Sequence, residues 1–303
     1  MKILVTGRAI AHQPDRCTGQ QLQQGFIQAG HECVFYGSVY GQPINFLGVE
    51  KTLNTDFDLV VVTECNDGMS GYQPLFNHHK LKDVPLVFWD FDISYHPEVS
   101  MQRATSYNPD GYLVANRFFL GDSGFGRTGK PVLFLPYACS PQIHRRMPEV
   151  RKETLVGFIG SLTAERKELF KKIDIKHVDG AYGDDLIVET NKLYCMLHKN
   201  QDACRGLIPG RPLESAGCGT PLLMDSASYE DFIDIISPKY HNCLLVYDDE
   251  DDIKDFVSEW DNKNMKRALV EMGQKLMAYV HTNHTYKNRA ETIVAWAKAH
   301  SIL

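Results

Sequence analysis

The chain opens with short apolar runs, rich in β-branched residues, separated by longer segments of mixed polarity. Residues 2–6 (KILVT) predict a strand, residues 19–30 carry apolar positions at helical spacing, and residues 32–36 (ECVFY) predict a second strand. The runs DLVVVT at 58–63, VPLVFW at 84–89, GYLVA at 111–115 and VLFL at 132–135 continue the series. Each is too short for a helix and is bounded by turn residues. A strand apolar on both faces belongs to a covered sheet, and helix-length spacers between such strands make that sheet parallel. The series pauses over 136–152 (PYACSPQIHRRMPEVRK) and restarts with TLVGFI at 154–159 and a helix signal over 163–172. Further strands are expected at 176–178, 194–197, 221–224 and 243–247, and from residue 251 onward the pattern is helical.

This is the alternation of an α/β protein with two Rossmann-like, doubly wound domains facing a cleft. The expected boundaries are 1–140 for the first domain, 141–153 for a linker, 154–283 for the second domain and 284–303 for a closing helix. A length of 303 residues agrees with two cores rather than one. In such a pair, ligands bind beyond the carboxyl ends of the strands, where helix N-termini present unpaired N–H groups to anions.

Composition narrows the picture by exclusion. With 43% hydrophobic and 23% charged residues the chain is an ordinary globular protein. A net charge of -6 argues against a generally basic, nucleic-acid-coating body. No apolar run reaches the roughly 20 residues of a membrane span, and Arg8, His12, Asp15 and Arg16 interrupt the opening too early for a secretory signal. The eight cysteines are scattered without a CxxC pair, which fits reduced, buried thiols and a cytoplasmic setting. The opening VTGRA is too poor in glycine for a dinucleotide fingerprint, and no phosphate-binding P-loop motif occurs. The acidic run at 248–252 lacks the spaced ligands of a calcium loop and suits a helix start.

The most informative segment is RPLESAGCGTPLL at 211–223. Proline near a helix start leaves no needed N–H unpaired, and Glu214 then falls in the first turns, facing the expected cleft. Gly217 and Gly219 suit close packing and a left-handed turn before the next strand. A carboxylate so placed accepts two hydroxyl hydrogens at once, as a ribose diol offers. The plainer reading is an acid stabilising a helix N-terminus.

This segment resembles the E-A-x-x-C-G-x-P stretch of the nucleotide-sugar domain in GT-B glycosyltransferases. FIGS…ERK (158–167) resembles the glycine-ended strand and basic helix that open that domain. LFLPYACSP (133–141) resembles the approach to the linker, and HTYKNR (284–289) the closing helix of the spore-maturation-type group. The match runs from about residue 133 to the end and is weak over the first 130 residues. It implies a hexosyl- or pentosyltransferase moving sugar from a nucleotide diphosphate sugar, a UDP-sugar above all, to an acceptor hydroxyl with retention. It implies donor binding at Gly160, Ser161, Arg166, Lys167, Arg211 and Glu214, and a final helix that crosses back to the first domain. Arginines in place of a metal would neutralise the diphosphate, so neither metal nor cofactor is expected.

Many retaining members carry a second glutamate eight positions earlier, and here that slot is Gly206. Backbone N–H groups over 205–210 are the expected substitute. On the acceptor side, Asp92 and His96 follow a buried strand and are the candidates for the catalytic base; acids at a strand end also simply cap turns. Asp90 and Asp92 open a rival reading as the D-x-D metal site of a GT-A-like transferase. A second rival is a non-catalytic sugar-nucleotide sensor or scaffold of the same fold, which Gly206 favours. The acceptor stays open between glycan, protein, small molecule and a modified DNA base, the last suggested by Arg145, Arg146, Arg151 and Lys152.

Overall fold

The structure, a computed structural model, describes residues 1–9, 17–39, 56–63, 81–91, 94, 97–201 and 204–303. They form two compact units, Met1–Pro136 with Tyr286–Leu303, and Tyr137–Thr285. Residues 141–153 therefore belong to the second unit.

The first unit is built on a six-stranded parallel sheet, β1 (Lys2–Ala9), β2 (Glu32–Val39), β3 (Leu59–Thr63), β4 (Leu86–Asp90), β5 (Gly111–Val114) and β6 (Val132–Phe134), in the order β2-β1-β3-β4-β5-β6. Every residue of β3, β4 and β5 is buried, which is why those strands read as unbroken apolar runs. Helix α1 (Thr18–Gln28) buries Leu22 and Phe26. Helix α2 (Pro97–Ser106) adds Met101 and Ala104 to a core with Leu4, Val60, Phe88 and Tyr112. The last helix of the chain packs on α1: a methyl at Gly25 would stand 2.3 Å from the carbonyl oxygen of Tyr286, so only glycine permits this approach. Arg289 ties the same helix to the end of the strand region by donating from Nε to the Pro136 carbonyl at 2.8 Å.

The second unit carries β7 (Thr154–Ile159), β8 (Lys176–Val178), β9 (Leu193–His198), β10 (Leu222–Asp225) and β11 (Leu244–Tyr247), all parallel, in the order β11-β10-β9-β7-β8. Between and after them run α3 (Ala164–Phe170), α4 (Gly183–Lys192), α5 (Gly210–Gly217), α6 (Ser226–Ile233), α7 (Glu250–Trp260) and α8 (Lys263–Asn283), before the last helix, α9 (Tyr286–Ala299). Val156, Phe158, Cys195, Leu197 and Leu223 from the sheet pack with Ile253, Phe256 and Leu269 from α7 and α8. The acidic run at 248–252 is a capping box: the Asp249 carboxylate accepts from the N–H groups of Asp251 and Asp252 at the start of α7. The seven cysteines of the described residues are buried, and none of them is in a disulfide.

Two of the four basic residues that suggested a DNA contact are used internally. Lys152 is buried, donating to the Leu193 carbonyl and to Thr220 Oγ1 at 3.2 Å. Arg146 donates to Asn191 Oδ1 at 2.9 Å and to the Met147 carbonyl at 3.1 Å. Arg145 and Arg151 alone of the four are exposed. Half of this short basic run is thus consumed in closing the fold around the ends of α4 and β9.

Burial, with the Arg146 charge adding to it, pushes the Lys152 ammonium down to about 8 from its ordinary 10.5. Below pH 8 both folded and unfolded chains hold this proton. Between about pH 8 and 10.5 the unfolded chain binds it and the folded chain does not, so stability from this group rises with pH, by at most roughly 3 kcal/mol. Urea unfolding of wild type and Lys152→Met at pH 7 to 10 tests this: the wild type should gain on the variant as pH rises above 8. A difference independent of pH would contradict the assignment.

Candidate active site in the second unit

The strand order places a topological switch between β7 and β9, since the chain winds outward to β8 on one side and to β10 and β11 on the other. Loops diverge at the carboxyl ends of these two strands, and open α/β sheets bind ligands there. Strand β7 runs into Gly160, whose φ of +149° is closed to side-chain-bearing residues, and then into exposed Ser161. Thr163 caps α3, its Oγ1 accepting from the Arg166 amide at 3.4 Å.

Arg166 spans the switch. Its Nε and Nη2 donate to the Lys199 carbonyl at 3.2 and 2.6 Å, and its Nη1 donates to the Ser161 carbonyl at 3.0 Å. The guanidinium also lies over the Phe158 ring at 5.1 Å. The loop after β7 is thus tied to the end of β9 through this guanidinium. Lys167, the next residue, is exposed. Lys199 was not singled out in the sequence; it bonds Glu165 at 3.0 Å and approaches Asp225 at 3.9 Å. Its only sequence signal was its position one residue past a buried strand. Beside it His198 is buried and held neutral, its pKa pushed down to about 3 by burial, with Arg166 adding to the shift.

Helix α5 follows β9 and so begins at the same carboxyl edge. Its start is Gly210, with Pro209 as N-cap, so Pro212 is the third residue of the helix. Glu214 is half-buried, and its Oε2 accepts from Arg211 Nη1 at 2.8 Å. Arg211 also donates to the Ala181 carbonyl at 3.3 Å and lies over the Tyr182 ring at 5.7 Å. Tyr182 is 60% exposed and is the N-cap of α4. On the other side, His144 Nε2 stands 3.9 Å from Glu214 Oε1. His144 lay inside the proline-rich stretch and carried no signal there. Gly219 has the left-handed φ of +73° expected after this helix.

The glycine that replaces the earlier glutamate is also left-handed, with φ +80°, and its N–H donates to Asp231 Oδ2 at 2.6 Å. The Leu207 N–H donates to the Cys204 carbonyl at 3.1 Å. These two amides are occupied within the fold, so the expectation that backbone N–H groups over 205–210 stand ready for sugar hydroxyls fails at 206 and 207.

Among the candidate residues the structure joins Arg211 to Glu214, and Arg166 to the loop of Gly160 and Ser161. Asp92 and His96 lie outside the described residues. Asp90 ends β4 and is buried. Among the described residues no group of three or more His, Cys, Asp or Glu side chains is placed to hold a metal ion, and no helix is long and apolar enough to cross a membrane.

Two parallel α/β sheets, each in its own Rossmann-like unit, define the GT-B fold. Solved structures share it: sucrose-phosphate synthase from Thermosynechococcus elongatus, at 10% identity and a TM-score of 0.62, with 99% of each chain covered. The HepE protein of Anabaena, solved with UDP and glucose, gives 11% identity and a TM-score of 0.60 over 99% of this chain and 100% of that one. The O-GlcNAc transferase of Thermobaculum terrenum gives 12% and 0.56 over 99% of this chain and 69% of that one. Residues 151–295 match the family model described as glycosyl transferase-like, and that stretch holds Gly160, Arg166, Arg211 and Glu214. No curated protein matches the chain in sequence. The chain has the GT-B fold, and residues 151–295 are similar to the glycosyl transferase-like family. That fold removes the ground for a GT-A reading of Asp90 and Asp92.

Proposed function

We propose that the protein transfers a sugar from a nucleoside diphosphate sugar, a UDP-sugar, to an acceptor hydroxyl, with retention and without a metal ion. The observation that carries this reading is Glu214: a half-buried carboxylate at the carboxyl edge of the second sheet, its Oε2 held by Arg211 at 2.8 Å. A carboxylate has about four acceptor positions. One arginine contact leaves room for both hydroxyls of a ribose. Arg166, Lys167 and Arg211 supply the positive charge for the diphosphate, and exposed Ser161 lies where a phosphate would meet the loop after β7. As the sugar–phosphate bond breaks, negative charge grows on the departing nucleotide, so cations fixed beforehand stabilise the transition state more than the ground state. The structure of HepE with UDP and glucose supports uridine as the base and a hexose as the sugar. The acceptor is a hydroxyl of a glycan, a protein or a small molecule, because only Arg145 and Arg151 remain exposed from the basic run once read as a DNA contact.

The test is thermal shift against UDP-, GDP- and ADP-sugars with and without manganese, followed by donor hydrolysis without acceptor. A metal-independent rise in melting temperature with UDP-sugars, and slow release of UDP, is the expected result. Binding without any turnover would favour the sensor reading; a shift only with manganese would overturn the metal-free assignment.

A further inference from the structure

Tyr182 is the most exposed large hydrophobic side chain among the described residues, at 60%. A ring left in water is by itself ordinary. This one is set apart by where it stands and what holds it. It follows β8 at the carboxyl edge of the second sheet, between Gly180 and Gly183, whose φ values of +67° and +56° are left-handed. The chain turns at both glycines, and the backbone of Tyr182 between them is extended.

Arg211 fixes the ring to the rest of the site. Its Nη2 donates to the carbonyl of Ala181, one residue earlier, at 3.3 Å, and its guanidinium lies over the ring, 5.7 Å from the centre. Through Nη1 the same guanidinium donates to Glu214 Oε2 at 2.8 Å. One planar cation therefore links an open aromatic ring to the carboxylate read above as the ribose acceptor. A base is bonded directly to its ribose, so a site for the ribose hydroxyls needs a neighbouring site for the base.

Charge decides which part of a nucleotide suits this place. The first turn of α4 carries Asp184 and Asp185, which answer the positive end of the helix themselves and repel phosphate. The diphosphate is served elsewhere, by Arg166 and the loop of Ser161 after β7. An exposed ring beside two carboxylates suits a neutral, flat group, and a nucleobase is such a group.

We propose that Tyr182 is the stacking platform for the nucleobase of the donor, with Arg211 backing the ring and bridging it to Glu214. The inference rests on the reading of Glu214 as the ribose acceptor and adds the base to it. Every base has a π-face, so the ring contributes affinity for a nucleotide over its base-free counterpart rather than a choice among bases.

The experiment measures UDP, GDP and ADP by calorimetry, and ribose 5-phosphate by thermal shift at millimolar concentration. The proteins are wild type, Tyr182→Phe, Tyr182→Leu and Tyr182→Ala. The side chain is exposed and makes no capping bond, so all should melt within about 2 °C of one another. Tyr182→Ala and Tyr182→Leu should weaken whichever nucleotide wild type binds by about tenfold. Tyr182→Phe keeps the ring and should stay within about twofold of wild type. Ribose 5-phosphate has no base to stack, so the shift it causes should be the same in every variant. Nucleotide affinity in Tyr182→Ala equal to that of wild type would overturn the platform and leave Glu214 untouched. An equal loss of nucleotide and ribose 5-phosphate would overturn it too, since the ring would then act only through Arg211. If wild type binds none of the three nucleotides, the ribose reading of Glu214 falls, and this inference with it.

Discussion

Replacing Glu214 with alanine should raise the dissociation constant for UDP about 100-fold while the protein stays folded. Two hydrogen bonds from ribose hydroxyls to a carboxylate are worth about 1.5 kcal/mol each, and 3 kcal/mol is about two powers of ten. The fold should tolerate the change because the carboxylate is already 21% exposed and its partner Arg211 is 25% exposed. Water reaches both groups, and Arg211 keeps its bond to the Ala181 carbonyl. Glu214→Gln retains one acceptor oxygen and should lose about tenfold. Calorimetric titration with UDP measures both variants. Unchanged affinity in Glu214→Ala would remove the ribose from this site.

Arg166→Ala should have the opposite profile, a large loss of stability first. It removes three charged donors from the Lys199 and Ser161 carbonyls and a cation from the face of Phe158. Allowing for partial exposure, the loss is about 2–3 kcal/mol, a fall in melting temperature of roughly 5–10 °C. Arg166→Lys keeps the charge but cannot reproduce the fork that reaches two carbonyls, so it should recover little of the stability. It should recover most of the nucleotide affinity, if the diphosphate responds to charge alone. Melting curves with and without UDP separate the two effects. An Arg166→Ala protein as stable as wild type would show that the brace across β7 and β9 contributes nothing.

The strands were legible because of where they lie. A strand buried on both faces is apolar at nearly every position, so β3, β4 and β5 stand out as runs, and the expected β7 and β8 coincide with the observed ones. Legibility ends where backbone bonds alone sustain a strand. Strand β1 continues to Ala9, three residues past its apolar run, because Gly7, Arg8 and Ala9 pair with Gly37, Ser38 and Val39 of β2. Glu214 and Arg211 stood out through the likeness of residues 211–223 to a nucleotide-sugar segment, and the structure joins the two in an ion pair.

By itself the sequence determined the α/β class, the two cores, the helical ending and the segment around Glu214, since each depends on residues close along the chain. Tertiary structure alone decided which charges are spent and which are left. Lys152 and Arg146 look like a surface patch and are interior struts; Arg166 looks like a helix-face cation and is a bridge between two strands. It also decided the strand order that creates the switch between β7 and β9, and it brought His144 beside Glu214 from a stretch that reads as linker. The physical reason is the same in each case. Burial, hydrogen-bond partners and local field belong to neighbours in space, and those neighbours are distant in sequence.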